Sequence, residues 1–328
     1  MSASATATGM GMVSLFGHDP ATYRPHRIHS DARSYTETNC YTDILIELLH
    51  ARGDEPLAAM GFVVRMDFEG DQWTFFKPPP ADLERLFGVD IHEMQPYREL
   101  PVQIAEQISQ GRTMIIELDA WYLPDTQSTT YRSEHVKTSV AVEAIELSAE
   151  RLRYFHNAGL YELSGEDYRG VFRLDGPLSD DVLPPYTELV RFDAGPQLRG
   201  EELRLAARDL LRYHLERRPR SNPFERFGSQ LSRELPELLR GDAAQYHAYA
   251  FATVRMVGSA FEIAASHVEW LLAADGQSAV DAFLQVVEGC KTLSFKLARR
   301  KEFDPAAAIA SLTEGWEQAV AALETALG

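Results

Sequence analysis

Apolar residues recur at two different spacings along this chain, and the change of spacing divides it into parts. In the first half, short apolar runs alternate with polar positions and with turns rich in glycine and proline, which predicts strands mixed with helices. After Pro184-Pro185 the apolar positions recur every three or four residues almost throughout, which predicts helices. We therefore predict a lead-in segment at residues 1–34, an α+β domain at 35–190 and an all-α domain at 191–328.

The α+β domain is predicted to hold an antiparallel sheet with helices on one side. Its predicted strands lie at residues 61–68, 72–76, 113–119, 136–145 and 151–155. Its predicted helices lie at residues 40–52, 82–87 and 101–110. In the all-α domain, the predicted helices lie at residues 201–216, 224–239, 243–273, 277–296 and 305–327.

Composition and charge narrow the classes of protein to which the chain can belong. The net charge of −17 argues against a nucleic-acid partner, because phosphate binding requires a basic face. The charge is uneven: residues 199–328 carry 16 Lys and Arg against 18 Asp and Glu, which leaves 16 against 31 for residues 1–198. This asymmetry supports two domains.

The sequence also indicates a compartment. No apolar stretch has the length of a membrane helix, so no membrane partner is expected, and the N-terminus lacks the features of a secretion signal. The two cysteines are 250 positions apart, which fits a reducing compartment better than a disulfide framework. We predict a cytoplasmic protein.

A cysteine stands directly before an amphipathic helix. In Asn39-Cys40-Tyr41-Thr42-Asp43 the thiol precedes the helix-forming run at residues 44–50, and Gly53 follows as a helix stop. The positive end of the helix dipole favours thiolate over thiol, which makes Cys40 a candidate nucleophile. The alternative interpretation is a small buried core residue, a common environment for free cysteine.

A histidine and an asparagine later in the chain complete a candidate thiol-enzyme triad. His135 begins one predicted strand and Asn157 ends the next. In such enzymes the imidazole removes the thiol proton, while Asn or Asp holds the second ring nitrogen. His156 is the alternative base, but neighbours on a strand point to opposite faces, so we prefer His135. The competing interpretations are a surface histidine and a simple turn at Asn157-Ala158-Gly159.

Several segments resemble the N-terminal domain of the butirosin-biosynthesis acyltransferases. They are Asn39-Cys40-Tyr41-Thr42-Asp43, Leu118-Asp119-Ala120-Trp121-Tyr122-Leu123-Pro124, and the later Tyr131 and His135. The resemblance covers about residues 35–170. That group shares its fold with the C39 peptidases, so the resemblance implies a papain-like, C39-like cysteine-enzyme domain.

The resemblance implies an acyltransferase or aminoacyltransferase. Cys40 would take an aminoacyl group from the phosphopantetheine thioester of an acyl carrier protein and pass it to a small-molecule amine acceptor. His135 would act as base and then acid, and Asn157, where the group usually carries Asp, would orient it. Phosphopantetheine belongs to the carrier protein, so the enzyme itself is expected to hold no cofactor. The alternatives are a papain-like thiol hydrolase (peptidase, amidase or thioesterase) and a non-catalytic binding module on the same fold.

Four further residues are candidates for contacts with the substrate. The related peptidases keep a glutamine before the cysteine as oxyanion donor, and Asn39 or the Cys40 N–H would replace it here. Asp119 is expected either to bind a substrate ammonium group or to act as a cap and ion-pair partner, with Tyr122 beside it. Tyr131 is expected to line an acyl pocket or to pack in the core.

Arginines cluster near the start of the all-α domain. Arg204, Arg208 and Arg212 recur every four residues and share one face of a predicted helix. Such a face would attract an acidic carrier protein, and the alternative is a solvated helix surface.

Metal and nucleotide chemistry are not indicated. No set of Cys, His and carboxylate residues has the spacing of metal ligands, and there is no glycine-rich phosphate loop. We expect no metal.

Overall fold

The computed structural model describes residues 11–30, 32–176 and 184–328, and the chain forms two compact units. The sheet unit comprises Met1–Arg27, Cys40–Pro56 and Leu83–Gln197, and the helical unit comprises Ile28–Asn39, Leu57–Asp82 and Leu198–Gly328. The division after Gln197 lies near the predicted boundary at residue 190. Two earlier stretches nevertheless belong to the helical unit, so the units are not simply successive halves of the chain.

The sheet unit is organised around an antiparallel sheet. In the described part of the chain its strands are β1 (Val13–Ser14), β2 (Asp90–Met94), β3 (Thr113–Asp119), β4 (Lys137–Glu146), β5 (Arg151–His156), β6 (Gly159–Ser164) and β7 (Thr187–Arg191). Their order is β2-β7-β3-β4-β5-β6, with β1 beside β4, and every pairing is antiparallel. The predicted α+β class and antiparallel sheet are confirmed.

Helices before residue 172 are α1 (Cys40–Ala51), α2 (Pro80–Phe87), α3 (Leu100–Ser109) and α4 (Glu166–Val171). The predictions for α1, α2, α3, β3, β4 and β5 are confirmed. Strand β2 was not predicted, because three of its five residues are exposed, which removes the alternating pattern of a half-buried strand. Strand β7 was not predicted either, because it follows Pro184-Pro185, where the apolar spacing predicted helix.

The two faces of the sheet pack against different helices. Ile116 and Val140 lie on the face that buries the apolar core with α3, because residues two apart on a strand share a face. The opposite face is packed against α1, and the fully buried Ala141 leaves room for the helix. On this second face the Tyr23 ring packs against Phe155 with centroids 5.5 Å apart.

The helical unit confirms the predicted helices of the second half. They are α5 (Gly200–Leu215), α6 (Pro223–Arg240), α7 (Ala243–Ala250), α8 (Met256–Leu272), α9 (Gln277–Ala298) and α10 (Ala306–Leu327). The single long helix predicted at residues 243–273 is interrupted by a π-helical turn at Phe251–Arg255. None of the helices in the described ranges combines the length and apolar character that a bilayer span requires.

The predicted hairpin at residues 61–76 is wrong. Pro56–Arg65 forms a 3-10 helix, and only the isolated bridge between Phe68 and Trp73 remains of the strand pair. Every residue of this 3-10 helix except Arg65 is buried. A continuous apolar run of this kind fits either a buried strand or a buried helix, so the run alone did not decide between them. A Cβ at Gly61 would lie 3.0 Å from His267 Nε2, which shows how closely this backbone approaches α8.

A buried histidine makes the helical unit sensitive to acid. His267 is 1% exposed, and its Nδ1 lies 2.7 Å from the carbonyl oxygen of Leu57, to which it donates. Burial, with a smaller contribution from nearby His214, lowers the pKa of His267 to about 4 from 6.5. Above pH 6.5 the ring is neutral in both the folded and the unfolded chain, so it costs no stability. As the pH falls from 6.5 towards 4, the unfolded chain binds a proton that the folded chain refuses.

We therefore expect the free energy of unfolding to fall by about 3 kcal/mol over this pH interval through His267 alone. His267→Asn keeps a donor for Leu57 and removes the titration, so its stability should depend less on pH between 6.5 and 4. Urea denaturation at a series of pH values measures the difference. His247→Asn, at an exposed position on α7, is the control and should keep the wild-type profile. Equal profiles for wild type and His267→Asn would contradict the assignment.

Candidate functional site

The register of β3 and β4 places His135 beside Asp119. Asp119 pairs with Lys137 at the end of the two strands, and His135 lies two residues before Lys137. His135 Nδ1 is 2.7 Å from Asp119 Oδ2, and the His135 ring stacks on Trp121 with centroids 4.5 Å apart and planes at 9°. Asp119 Oδ1 accepts a hydrogen bond from the Trp121 N–H at 3.1 Å, which caps the 3-10 turn Ala120–Tyr122. The Asp119 carboxylate therefore holds both the His135 ring and the backbone of Trp121, whose indole stacks on that ring.

This arrangement selects the tautomer of His135. The Asp119 carboxylate can only accept, so Nδ1 carries the proton and donates it. Nε2 is then left with a lone pair, and in the described residues it makes no hydrogen bond. A neutral imidazole held in this way is the usual form of a general base.

His135 and Asp119 line an open cavity of about 450 Å³. The cavity also contains the ion pair between Glu117 and Lys137, whose charged atoms are 2.6 Å apart. The remaining lining residues are Leu118, Val136, Arg173, Pro184, Pro185 and Tyr186. The cavity therefore presents both signs of charge together with an imidazole, which suits a small polar substrate.

Cys40 is the first residue of α1 and is half-buried. Its neighbour Tyr41 is connected to the cavity through Glu188. The Tyr41 hydroxyl donates to Glu188 Oε2, and the Tyr186 hydroxyl donates to Oε1 of the same carboxylate at 2.9 Å. Burial and the Glu188 hydrogen bond raise the pKa of Tyr41 well above its usual range and that of Tyr186 to about 12, so both remain donors.

The strand register shows that α1 and Asp119 lie on the same face of the sheet. Glu188, which accepts from Tyr41, is paired with Ile115. Ile115 and Asp119 are four residues apart on β3, so their side chains share a face. Cys40 and the His135–Asp119 pair therefore occupy one face, although no hydrogen bond joins Cys40 to either histidine ring in the described residues.

Asn157 does not hold His135 in this structure. It lies in the two-residue loop between β5 and β6, with a φ of 46° in the left-handed region that Asn tolerates better than most residues. Asp119 occupies the position at His135 Nδ1 that the sequence interpretation gave to Asn157. The turn interpretation of Asn157 agrees with its backbone, and Asp119 has the capping and ion-pairing contacts weighed as its alternative role.

His156, the alternative base, is buried on the other face of the sheet. Its Nδ1 lies 2.5 Å from Asp125 Oδ2 and its Nε2 lies 2.8 Å from Thr138 Oγ1. The Tyr154 hydroxyl donates to Asp125 Oδ1 at 2.5 Å. With only 2% of its surface exposed, His156 anchors the 3-10 turn Pro124–Thr126 to the sheet and does not reach the cavity.

The other predicted substrate residues have structural contacts. Asn39 Nδ2 donates to the Phe76 carbonyl at 2.6 Å. The Tyr131 hydroxyl donates to Asp167 at 3.0 Å, and the Tyr122 ring packs against Gly170 of α4, where a Cβ would clash. Neither tyrosine is among the residues that line the cavity.

The three arginines predicted to dock a carrier protein are used inside the helical unit. Arg208 donates to the Ala326 carbonyl at 2.8 Å, and Arg212 donates to the Leu327 carbonyl at 2.7 Å. These contacts cap the C-terminal end of α10, where cations satisfy unpaired carbonyls. Arg204 donates to the Trp270 carbonyl and covers the Trp270 ring at 4.7 Å. Their periodic spacing thus reflects helix packing.

Two family comparisons cover most of the chain. Residues 24–192 match the DUF1839 N-terminal domain, and residues 200–325 match the DUF1839 C-terminal domain. The chain therefore belongs to the DUF1839 family. A search of curated proteins gives no match.

The geometry predicts which residue sets the tautomer of His135. Wild type should carry the proton on Nδ1, and Asp119→Ala should release the ring to a mixture of both tautomers. Asn157→Ala should leave the tautomer unchanged. Nitrogen-15 chemical shifts of the His135 ring, measured at a pH where it is neutral, distinguish these outcomes. A tautomer that changes in Asn157→Ala but not in Asp119→Ala would restore the original assignment of Asn157.

Proposed function

We propose that this member of the DUF1839 family is an acyltransferase that uses Cys40 as nucleophile and the His135–Asp119 pair as acid and base. The donor is an acyl or aminoacyl thioester of a carrier protein's phosphopantetheine, and the acceptor is an amine. The observation that carries the proposal is the Nδ1–Oδ2 hydrogen bond of 2.7 Å, which leaves His135 Nε2 as an acceptor in the cavity.

A papain-like arrangement of the sheet unit is part of this proposal. It is supported by a helix that begins at the cysteine and packs against an antiparallel sheet. Tyr41 directly follows Cys40, and Tyr186 lines the cavity. Their hydrogen bonds to the same Glu188 carboxylate support a single active site that contains both Cys40 and the cavity. The backbone N–H groups at the start of α1 are suited to stabilise an oxyanion, since the first turn of a helix leaves donors unpaired.

The first half of the reaction transfers the acyl group to the enzyme. The Cys40 thiol gives its proton to His135 Nε2, and the sulfur forms a bond to the thioester carbon. The bond between that carbon and the pantetheine sulfur then breaks, and the departing thiolate takes the proton from His135. Asp119 stabilises the imidazolium that exists between the two proton transfers.

The second half transfers the acyl group to the amine. The amine nitrogen attacks the acyl carbon on Cys40 while His135 takes its proton. The carbon–sulfur bond breaks, and the Cys40 sulfur recovers the proton from His135. Glu117, on the cavity wall, provides a carboxylate for the ammonium group of an aminoacyl donor once Lys137 moves aside from their ion pair.

A hydrolase is the second candidate. One observation favours it. His135 is bonded to Asp119, the carboxylate partner that a general base needs, whereas Cys40 has no hydrogen bond to His135 in the described residues. In this alternative His135 activates water for attack on the thioester, and no acyl-enzyme forms.

The proposal predicts an acyl adduct on Cys40. Incubation with glycyl or alanyl thioesters of N-acetylcysteamine should add one aminoacyl group to wild type and none to Cys40→Ala, by intact mass. Added hydroxylamine should discharge the adduct as a hydroxamate, and His135→Ala should slow its formation by about 10²- to 10⁴-fold. Cys290→Ala is the matched control, because Cys290 is fully buried and burial raises the pKa of its thiol.

Two results would contradict the proposal. Thioester hydrolysis that persists in Cys40→Ala and is unaffected by hydroxylamine would identify the hydrolase. An adduct on wild type that forms at the same rate in His135→Ala would remove His135 from the reaction.

A further inference from the structure

The candidate cavity of the sheet unit holds an ion pair whose cation has no role in the proposed reaction. Glu117 and Lys137 both line the cavity, and Lys137 Nζ lies 2.6 Å from Glu117 Oε1. The Lys137 side chain is 70% exposed, against 27% for Glu117. An ion pair at such an exposed position contributes little to stability, so a ligand can separate the two charges at small cost.

The strand register places Lys137 close to the reacting groups. Lys137 pairs with Asp119, and paired residues on neighbouring strands project from the same face of the sheet. Asp119 is bonded to the His135 ring and to the Trp121 N–H, and Lys137 bonds to Glu117, two residues earlier on β3. His135 precedes Lys137 by two residues, which places their Cα atoms no more than about 7 Å apart. The Lys137 ammonium and the His135 imidazole can therefore contact one small molecule in the cavity.

A carboxylate is the group that suits Lys137 during the reaction. The proposed binding of an aminoacyl donor requires Glu117 to leave Lys137, so that the Glu117 carboxylate can hold the donor's ammonium group. Lys137 then lacks its counter-ion at a wall that also contains the apolar Val136 and Pro185. A second carboxylate restores the charge balance and forms a charge-assisted hydrogen bond. The acceptor is the substrate that remains to supply it.

We propose that the acceptor is a short amino acid, whose carboxylate binds Lys137 while its amine reaches His135 Nε2. The amine attacks the acyl group on Cys40, and the product is an N-acylated amino acid with a free carboxylate. Lys137 is thus a specificity-determining residue for the second half of the reaction. This inference rests on the proposed function for its chemistry, whereas the ion pair and its place in the cavity do not depend on that function.

A comparison of two acceptors with the full-length protein tests the inference. Glycine carries a carboxylate, and ethanolamine has a similar size and amine basicity but carries a hydroxyl in its place. With alanyl N-acetylcysteamine as donor and mass spectrometry of the amide product, kcat/KM for glycine should be at least tenfold higher, because a charge-assisted contact contributes roughly a factor of ten. Lys137→Ala should lower the glycine value about tenfold through KM and leave the ethanolamine value unchanged.

Three further variants separate carboxylate binding from a structural role of the ion pair. Glu117→Gln breaks the same pair but keeps the cation, so the ratio of kcat/KM for glycine to that for ethanolamine should stay as in wild type. Lys137→Glu should reverse the preference and favour ethylenediamine over glycine. Arg98→Ala is the matched control, because it breaks an exposed pair with Glu106, 2.7 Å between charged atoms, elsewhere in the sheet unit. It should keep the wild-type ratio.

A binding titration distinguishes failure of this inference from failure of the proposed function. In Cys40→Ala, which cannot form the acyl adduct, glycine should shift the ring signals of His135 at a concentration at least tenfold lower than ethanolamine does. The additional change Lys137→Ala should remove that difference. If wild type formed no adduct but this titration gave the expected result, the amino-acid site would stand and the transferase alone would be rejected.

Three results would overturn the inference. Equal titrations of Cys40→Ala by glycine and ethanolamine would show that no carboxylate is recognised. A preference for glycine that is unchanged in Lys137→Ala would place the carboxylate elsewhere. An equal loss of the preference in Glu117→Gln and Lys137→Ala would show that the ion pair only holds the two strands together.

Discussion

The hydrogen bond between Asp119 and His135 is the constraint on which the proposed chemistry depends. Asp119 is the last residue of β3, and His135 lies two residues before the start of β4. Because the two strands are antiparallel and Asp119 pairs with Lys137, the Asp119 carboxylate lies beside the His135 imidazole. Trp121, capped by the same carboxylate, supports the ring from below. An exposed histidine, with 66% of its side chain in solvent, is thereby held in one orientation without burial.

Charged and polar residues of this chain divide into those used for folding and those left for a ligand. His156 is held between Asp125 and Thr138, and Arg208 and Arg212 cap the end of a helix. These residues looked functional in the sequence because buried polar networks and periodic arginines resemble sites when their partners are unknown. Arg65 shows the opposite case, since it is exposed and makes no ion pair or hydrogen bond in the described residues.

Much of the fold could be predicted from the local pattern of apolar residues, whereas the contacts of the candidate site depend on which strands pair and in which register. The helices of the second half and the strands β3, β4 and β5 follow from apolar periodicity. The segment at residues 61–68 misled because a run of buried apolar residues is compatible with either a strand or a helix. Cys40 and His135 were proposed as site residues from their positions at element ends, and their catalytic roles stay predictions. The partner of His135 was missed, although consecutive antiparallel strands must bring Asp119 near it.

A double-variant comparison of Asp119 and His135 tests the central claim most directly. The rate of hydroxamate formation from an aminoacyl N-acetylcysteamine thioester would be measured in Asp119→Asn, in His135→Ala and in the double variant. If Asp119 acts only through the imidazole, the double variant should be no slower than His135→Ala, because residues that act as a unit are not additive. If the two losses multiply, Asp119 has an independent role, such as binding the substrate ammonium group, and the acid–base pair described here is wrong.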